Sequence, residues 1–200
     1  VAGALVSSIT ITLVEQLQKI YDENNIISRY DTRVDIAYYN ESEPDINKLK
    51  QAKIKGEAQR TKNDIFYLAL AMAYKENKIT IENIKEILSS TFKELDFSNL
   101  ENIIFAGDGT YLNFTDKFTE IRPSGTDAKT KAYAGGYDKD ILNKFANILG
   151  NYSGDLNETY KKYLTQEYVE ASKELSFKIY ADYSKKDEDL RQFNIPNYDF

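Results

Sequence analysis

Four short candidate strands follow one another between residues 102 and 133, and this stretch limits the possible fold more than any other feature. The pair Asp108-Gly109 separates the first two segments, and an Asp-Gly pair between apolar runs is typical of a β-hairpin. A fifth segment, residues 33–39, alternates apolar and polar side chains as a half-buried strand does. The predicted strands are residues 33–39, 102–105, 111–114, 118–121 and 130–133.

The rest of the chain carries apolar residues at the three- and four-residue spacing of amphipathic helices. Gly56 is a predicted interruption, and Gly150 suits the end of a helix. The predicted helices span residues 2–21, 46–77, 80–95, 138–150 and 155–183. The predicted residues at the starts of the last four are Asp45, Thr80, Asp138 and Asp155. Together these patterns predict an α+β fold, a small and mainly antiparallel sheet covered by helices.

The composition excludes several classes of chemistry. The sequence has no cysteine and no histidine. Disulfides, a cysteine nucleophile, a Ser-His-Asp triad and an ordinary zinc site are therefore excluded for this chain. The net charge of −6 disfavours nucleic acid and anionic membrane as partners of the chain as a whole. No long apolar run or leader sequence is visible, and we expect a cytoplasmic protein.

Residues 122–129, here called the 122–129 segment, carry the residue types of an anion site. An arginine offers a planar fork of donors to two phosphate oxygens, and serine and threonine add hydroxyls. A glycine lets backbone N–H groups approach an oxyanion closely. The candidate phosphate ligands are Arg122, Ser124, Gly125, Thr126 and Lys129. The alternative interpretation of these residue types alone is an ordinary Pro-Ser-Gly turn with a surface arginine.

The 122–129 segment resembles the phosphate-binding loop in the C-terminal domain of the α-D-phosphohexomutases, the family of phosphoglucomutase and phosphomannomutase. The loop of that family commonly reads Arg-Pro-Ser-Gly-Thr-Glu-Pro-Lys. Residues 122–126 match it fully and Lys129 matches, whereas Asp127 and Ala128 replace Glu and Pro. Lys131 and Tyr133 also stand where the next strand of the family carries Lys and Tyr.

The resemblance implies a sheet of four main strands with helices largely on one side, and three parts of the chain. Residues 1–28 resemble the last helix of a preceding sugar-binding domain. Residues 29–150 are the phosphate-binding domain with a helical insertion at 46–95, and residues 151–200 are a helical extension. The chain begins at Val1 without a polar residue to cap its first helix, so we expect a piece of a longer polypeptide.

The function that the resemblance implies belongs to the whole enzyme, which interconverts hexose 1-phosphate and hexose 6-phosphate, most simply of glucose. A phosphoserine assisted by Mg²⁺ transfers the phosphoryl group, and loop 122–126 holds the phosphate that does not react. The serine and metal loops are absent from this sequence, so we expect no catalytic residue, no metal ligand and no turnover from this chain alone. Its expected partners are a hexose phosphate and upstream domains of the same polypeptide.

Two other functions stay open from the sequence. One is a non-enzymatic, helix-rich interaction module whose tyrosine and phenylalanine stripes dock a partner. The other is a stand-alone anion-binding domain. Arg122 separates the phosphohexomutase from the interaction module, because phosphate binding requires it and a docking module is indifferent to it.

Overall fold

The computed structural model describes residues 29–125, 127–152 and 156–176, together with 13, 15–17, 19–21, 23, 24 and 178. These residues form an antiparallel sheet of five strands in the order β1-β5-β4-β3-β2. The strands are β1 (Tyr30–Ala37), β2 (Leu100–Ala106), β3 (Gly109–Phe114), β4 (Phe118–Pro123) and β5 (Lys129–Gly136). The predicted α+β class is confirmed, with five strands where the resemblance implied four.

All five strands predicted from the alternation pattern are present, with shifted ends. The turn between β2 and β3 consists of Gly107 and Asp108, and Gly107 has a φ of +65°. Glycine is needed at this φ because a side chain rarely adopts it. Gly109 was expected in that role, but it already belongs to β3. A Cβ at Gly109 would lie 2.6 Å from Glu120 Oε1, the end of a flexible side chain, so a larger residue here requires Glu120 to move.

The described helices are α1 (Ile46–Lys75), α2 (Ile81–Thr91), α3 (Lys139–Gly150) and α4 (Glu158–Tyr163), and residues 166–176 are also helical. The side chains of Asp45, Thr80 and Asp138 accept backbone N–H groups as predicted caps should. The expected interruption at Gly56 is wrong, because α1 continues through it. The expected end of α2 at residue 95 is also wrong, since the helix stops at Thr91.

The predicted terminal helices are only partly within the described residues. Residues 13, 15–17, 19–21 and 23 are helical, and residues 1–12 lie outside the description. Asp155 and Tyr183 also lie outside it. Asn157 caps α4, and the chain leaves the helix at Leu164 and Thr165 before residues 166–176. The single long helix expected after residue 155 is wrong, since the described residues form at least two helical segments. Leu164 lies between them and is buried in the core.

One hydrophobic core lies between the inner face of the sheet and the helices. Phe66 of α1 stacks on Tyr160 of α4 with ring centroids 4.9 Å apart. Phe92 meets Tyr152 edge-on at 5.0 Å. Aromatic pairs of these geometries stabilise a core beyond the area that they bury. The segment after residue 150 thus contributes to the same core as α1.

The C-terminal end of α3 is capped by side chains from α1. Asn63 Nδ2 donates to the carbonyl oxygens of Leu149 at 3.0 Å, Gly150 at 3.3 Å and Tyr152 at 3.1 Å. Tyr67 Oη adds a bond of 2.8 Å to Leu149. The last carbonyls of a helix have no partner within the helix, so these bonds fix α3 to α1. None of the helices in the described ranges is long and apolar enough to cross a membrane.

Candidate anion-binding site at one end of the sheet

Three connecting segments and α1 meet at one end of the sheet. The pairs Ala106↔Gly109, Thr110↔Ile121 and Ala37↔Lys129 bring the β2–β3 turn, the 122–129 segment and the chain after β1 to this end. Helix α1 passes close by, since a Cβ at Gly56 would lie 3.5 Å from Ala128 Cβ. The 122–129 segment is therefore held between the sheet and α1.

Arg122 stands at the end of β4 and pairs with Asp108 of the β2–β3 turn. Its Nη2 lies 2.9 Å from Asp108 Oδ2, and the two side chains are 27% and 10% exposed. Its Nε is buried and has no hydrogen-bond partner among the described residues. A guanidinium has five N–H donors, so the pair with Asp108 leaves donors for a further anion.

Ser124 lies beneath the 122–129 segment rather than at its surface. The residue is only 2% exposed. Its N–H donates to the Lys129 carbonyl at 2.9 Å, and its own carbonyl accepts a bond of 3.1 Å from Arg60 Nη1. The role of the Ser124 side chain as a phosphate ligand stays a prediction. Gly125 is half-buried, and Thr126 lies outside the described residues.

Asp127 anchors the tip of the segment to three neighbouring groups. Its carboxylate accepts from Tyr39 Oη at 2.9 and 2.8 Å and from the Ala128 N–H at 2.9 Å, and Lys53 Nζ lies 3.3 Å away. Burial acts to raise the pKa of Asp127, but the bonds from Tyr39, Ala128 and Lys53 outweigh it and lower the pKa. A carboxylate held ionised in this way fixes the loop tip against the chain after β1.

Lys129 opens β5 and carries its charge beside two acidic residues. Its Nζ pairs with Glu41 and lies 3.6 Å from Asp127 Oδ2. The hydrogen bond to Glu41 is the main cause that raises the pKa of Lys129, so the side chain is firmly protonated. Arg122, Lys129 and Lys53 are thus each paired with a carboxylate. An anion at this site has to compete with Asp108, Glu41 and Asp127.

A buried charged pair behind the segment was not singled out from the sequence. Arg60 and Asp64 of α1 are 6% and 5% exposed. Ser176 Oγ donates to Asp64 Oδ2 at 2.5 Å. Burial raises the pKa of Asp64 to about 6, although Ser176 and Arg60 act to lower it. The available signal was an arginine and an aspartate four residues apart at the edge of a segment that is otherwise apolar.

A groove of about 670 Å³ runs between α1 and residues 166–176. Its apolar wall includes Ile54, Ala58, Ile65, Leu156 and Val169, and Arg60 lies at its lining. Ile54 is 70% exposed. Ligand sites in proteins have this range of volume and this mixture of apolar and polar lining.

No group of three or more acidic residues in the described ranges is placed to hold a metal ion. The Mg²⁺ expected for the whole enzyme therefore has no ligand set among these residues. No protein-family profile matches the sequence, and no curated protein is significantly similar to it. A function is therefore proposed from the side chains that meet at this end of the sheet.

Proposed function

We propose that the 122–129 segment binds the phosphate group of a phosphorylated hexose, most simply glucose phosphate. On this proposal the chain is the phosphate-holding C-terminal part of a cytoplasmic phosphohexomutase. The observation that carries it is that Arg122, Gly125 and Lys129 belong to one short connection, whose ends and tip are pinned by Asp108, Arg60 and Tyr39. A pinned loop loses little entropy when it binds its ligand.

The carboxylates paired with Arg122 and Lys129 support different roles for these two cations. Asp108 is nearly buried and holds Arg122 in one orientation, so the arginine presents its remaining N–H donors without reorganising. Glu41 is 55% exposed and is free to turn into solvent. A phosphate carries more charge than a carboxylate and offers more oxygens. We therefore expect phosphate to replace Glu41 at Lys129 and to join Asp108 at Arg122.

The proposed role is positioning and charge stabilisation of the phosphate that does not react. These are the main means by which proteins accelerate phosphoryl transfer. The transferring serine and the Mg²⁺ site are proposed to lie in upstream domains of the same polypeptide. This chain alone is expected to bind hexose phosphate weakly and to transfer nothing.

The test is a titration of the chain with glucose 6-phosphate and with inorganic phosphate, in which calorimetry or NMR measures the binding affinity. Arg122→Met should weaken binding by about 10- to 100-fold, the equivalent of one charge-assisted hydrogen-bonded contact. Arg33→Met is the matched control, because Arg33 lies on β1 of the same sheet and pairs with Asp35. Absence of binding by the unmodified chain, or equal binding by Arg122→Met, would overturn the proposal.

The groove along α1 favours a second candidate, an interaction module whose apolar face docks a partner. That function requires the exposed side chain of Ile54 and is indifferent to Arg122. Ile54→Asp should abolish docking and leave phosphate binding intact, whereas Arg122→Met should have the opposite pattern. The two functions are thus separated by one pair of variants.

A further inference from the structure

Arg60 connects the 122–129 segment to the helical residues 166–176. It lies midway along α1, and its Nη1 donates to the Ser124 carbonyl at 3.1 Å. Asp64 lies one helical turn further on, on the same side of α1. Ser176 Oγ donates to Asp64 at 2.5 Å, and Arg60 and Asp64 interact electrostatically. Hydrogen bonds therefore join Ser176 to Asp64 and Arg60 to Ser124, and Arg60 and Asp64 attract each other electrostatically.

The bond from Arg60 determines which way the Ser124–Gly125 peptide unit points. A trans peptide is planar, and its C=O and the following N–H point in opposite directions. Because the Ser124 carbonyl points at Arg60 in the interior, the Gly125 N–H points away from α1. We expect an anion to approach the segment from that side. If the peptide turned over, its carbonyl oxygen would face the anion and repel it.

The burial of the pair indicates a role in orientation rather than in stability. Arg60 and Asp64 are both almost completely buried. Removing two charges from water costs about as much as their attraction returns, and apolar side chains of similar size often stabilise a fold equally well. What the pair supplies and apolar side chains do not is a fixed donor at the Ser124 carbonyl.

We propose that Arg60 is a positioning residue that orients the Ser124–Gly125 peptide for phosphate, and that Asp64 and Ser176 hold Arg60 in place from residues 166–176. The inference deepens the proposed function and rests on it. The inference gives residues 166–176 an indirect part in anion binding. They act on the 122–129 segment through Asp64 and Arg60.

The experiment compares Arg60→Met, Arg60→Lys and Ser176→Ala in the full chain. Arg60→Met should weaken the binding of inorganic phosphate by about 10-fold, as expected for the loss of one hydrogen bond from a charged donor. Arg60→Lys should recover part of that loss, and Ser176→Ala should show a smaller loss. Lys62→Met is the matched control, since Lys62 is an exposed cation of the same helix and should bind phosphate unchanged.

A second readout is the amide signal of Gly125 in ¹H–¹⁵N spectra without phosphate. Arg60→Met should change the chemical shift of this signal. Ser176→Ala should have a melting temperature close to that of the unmodified chain. If Arg60→Met does not fold, the same comparison is made with Arg60→Lys and Ser176→Ala. Unchanged phosphate affinity and an unchanged Gly125 signal in the folded variants overturn the inference. Failure of the unmodified chain to bind phosphate overturns the proposed function instead, and the signal of Gly125 still reports on Arg60.

Discussion

The hydroxyl of Tyr39 lies 2.9 and 2.8 Å from the two carboxylate oxygens of Asp127. This bond ties the tip of the 122–129 segment to the chain that leaves β1, at a position where sequence alone shows only two neighbouring tyrosines. Tyr39 also faces Lys53, whose Nζ lies 5.3 Å from the ring centroid. The tip is thus restrained by a residue that is distant in sequence and belongs to no motif.

Tyr39→Phe should loosen the loop tip with little change of the core. We expect a loss of about 1 kcal/mol in the free energy of unfolding, as for one hydrogen bond to a charged group with partial exposure. Phosphate affinity should fall by a few-fold at most, because the tip becomes less ordered. Urea denaturation and phosphate titration check both values. Tyr133→Phe on β5 is the control, and an equal effect of that variant would contradict the assignment.

Glu41→Gln should strengthen phosphate binding. The glutamate competes with the anion for Lys129, and the glutamine that replaces it is uncharged. We expect an affinity about two- to five-fold higher, with a change of stability below about 0.5 kcal/mol because an exposed pair contributes little. Glu158→Gln is the matched control, since Glu158 pairs with Lys161 on α4. Weaker binding by Glu41→Gln would show that Glu41 orients Lys129 instead of competing.

Asp64→Asn should change how stability depends on pH. Burial raises the pKa of Asp64 from 3.8 to about 6. Between these values the folded state binds more protons than the unfolded state, so this group makes the protein less stable as pH rises from about 4 to about 6. Above pH 6 the cost is constant. The variant removes the cost, and its stability relative to the unmodified chain should rise by about 2–3 kcal/mol between pH 4 and pH 7.

Denaturation at pH 4, 5.5 and 7 measures this effect. The comparison with the unmodified chain is necessary because other carboxylates act with the opposite sign. Arg33 lowers the pKa of Asp35, chiefly through its hydrogen bond, and that contribution is lost as pH falls below the usual range. Asp35→Asn should therefore be most costly at pH 7. A parallel pH profile for Asp64→Asn and the unmodified chain would contradict the assigned burial of Asp64.

Asn63→Leu should be strongly destabilising. Leucine has a similar size, but it leaves the carbonyls of Leu149, Gly150 and Tyr152 without the donor that Asn63 provides. Tyr67 still donates to Leu149 and Tyr38 still donates to Gly150, so we expect a loss of about 1–3 kcal/mol for the site as a whole, as for one buried group that loses a hydrogen bond. Asn147→Leu is the control, because Asn147 is exposed and its Nδ2 donates to the Asn143 carbonyl within α3. Chemical denaturation of both variants makes the comparison.

The strands and the short connection between β4 and β5 could be predicted from sequence because their signals are local. Alternation, the hairpin at Asp108 and the capping residues each act over a few positions. The expected interruption at Gly56 failed because packing overrides helix propensity there. A Cβ at this position would lie 3.2 Å from Tyr39 Cδ1, so glycine lets α1 pass close to the sheet.

The partners of the candidate ligands could not be predicted in the same way. Arg60 meets Ser124, Tyr39 meets Asp127 and Asp64 meets Ser176 only after the chain has folded. Such pairs produce no periodic pattern in the sequence, and each residue by itself is typical of an ordinary polar position in a helix or loop. Residue types indicated candidate phosphate ligands, but the burial of Ser124 and the carboxylates beside each cation required the structure.

The pairing of β1 with β5 also sets an order of events during folding. Strands β2 to β5 follow one another as hairpins, so their contacts close short loops and form early. Strand β1 has β5 as its partner and joins Tyr30 to Gly136 across α1, α2 and the other strands. During synthesis β1 must wait until β5 has left the ribosome. Tyr39 and Glu41 follow β1, so we expect the candidate anion site to form only after β1 has paired with β5.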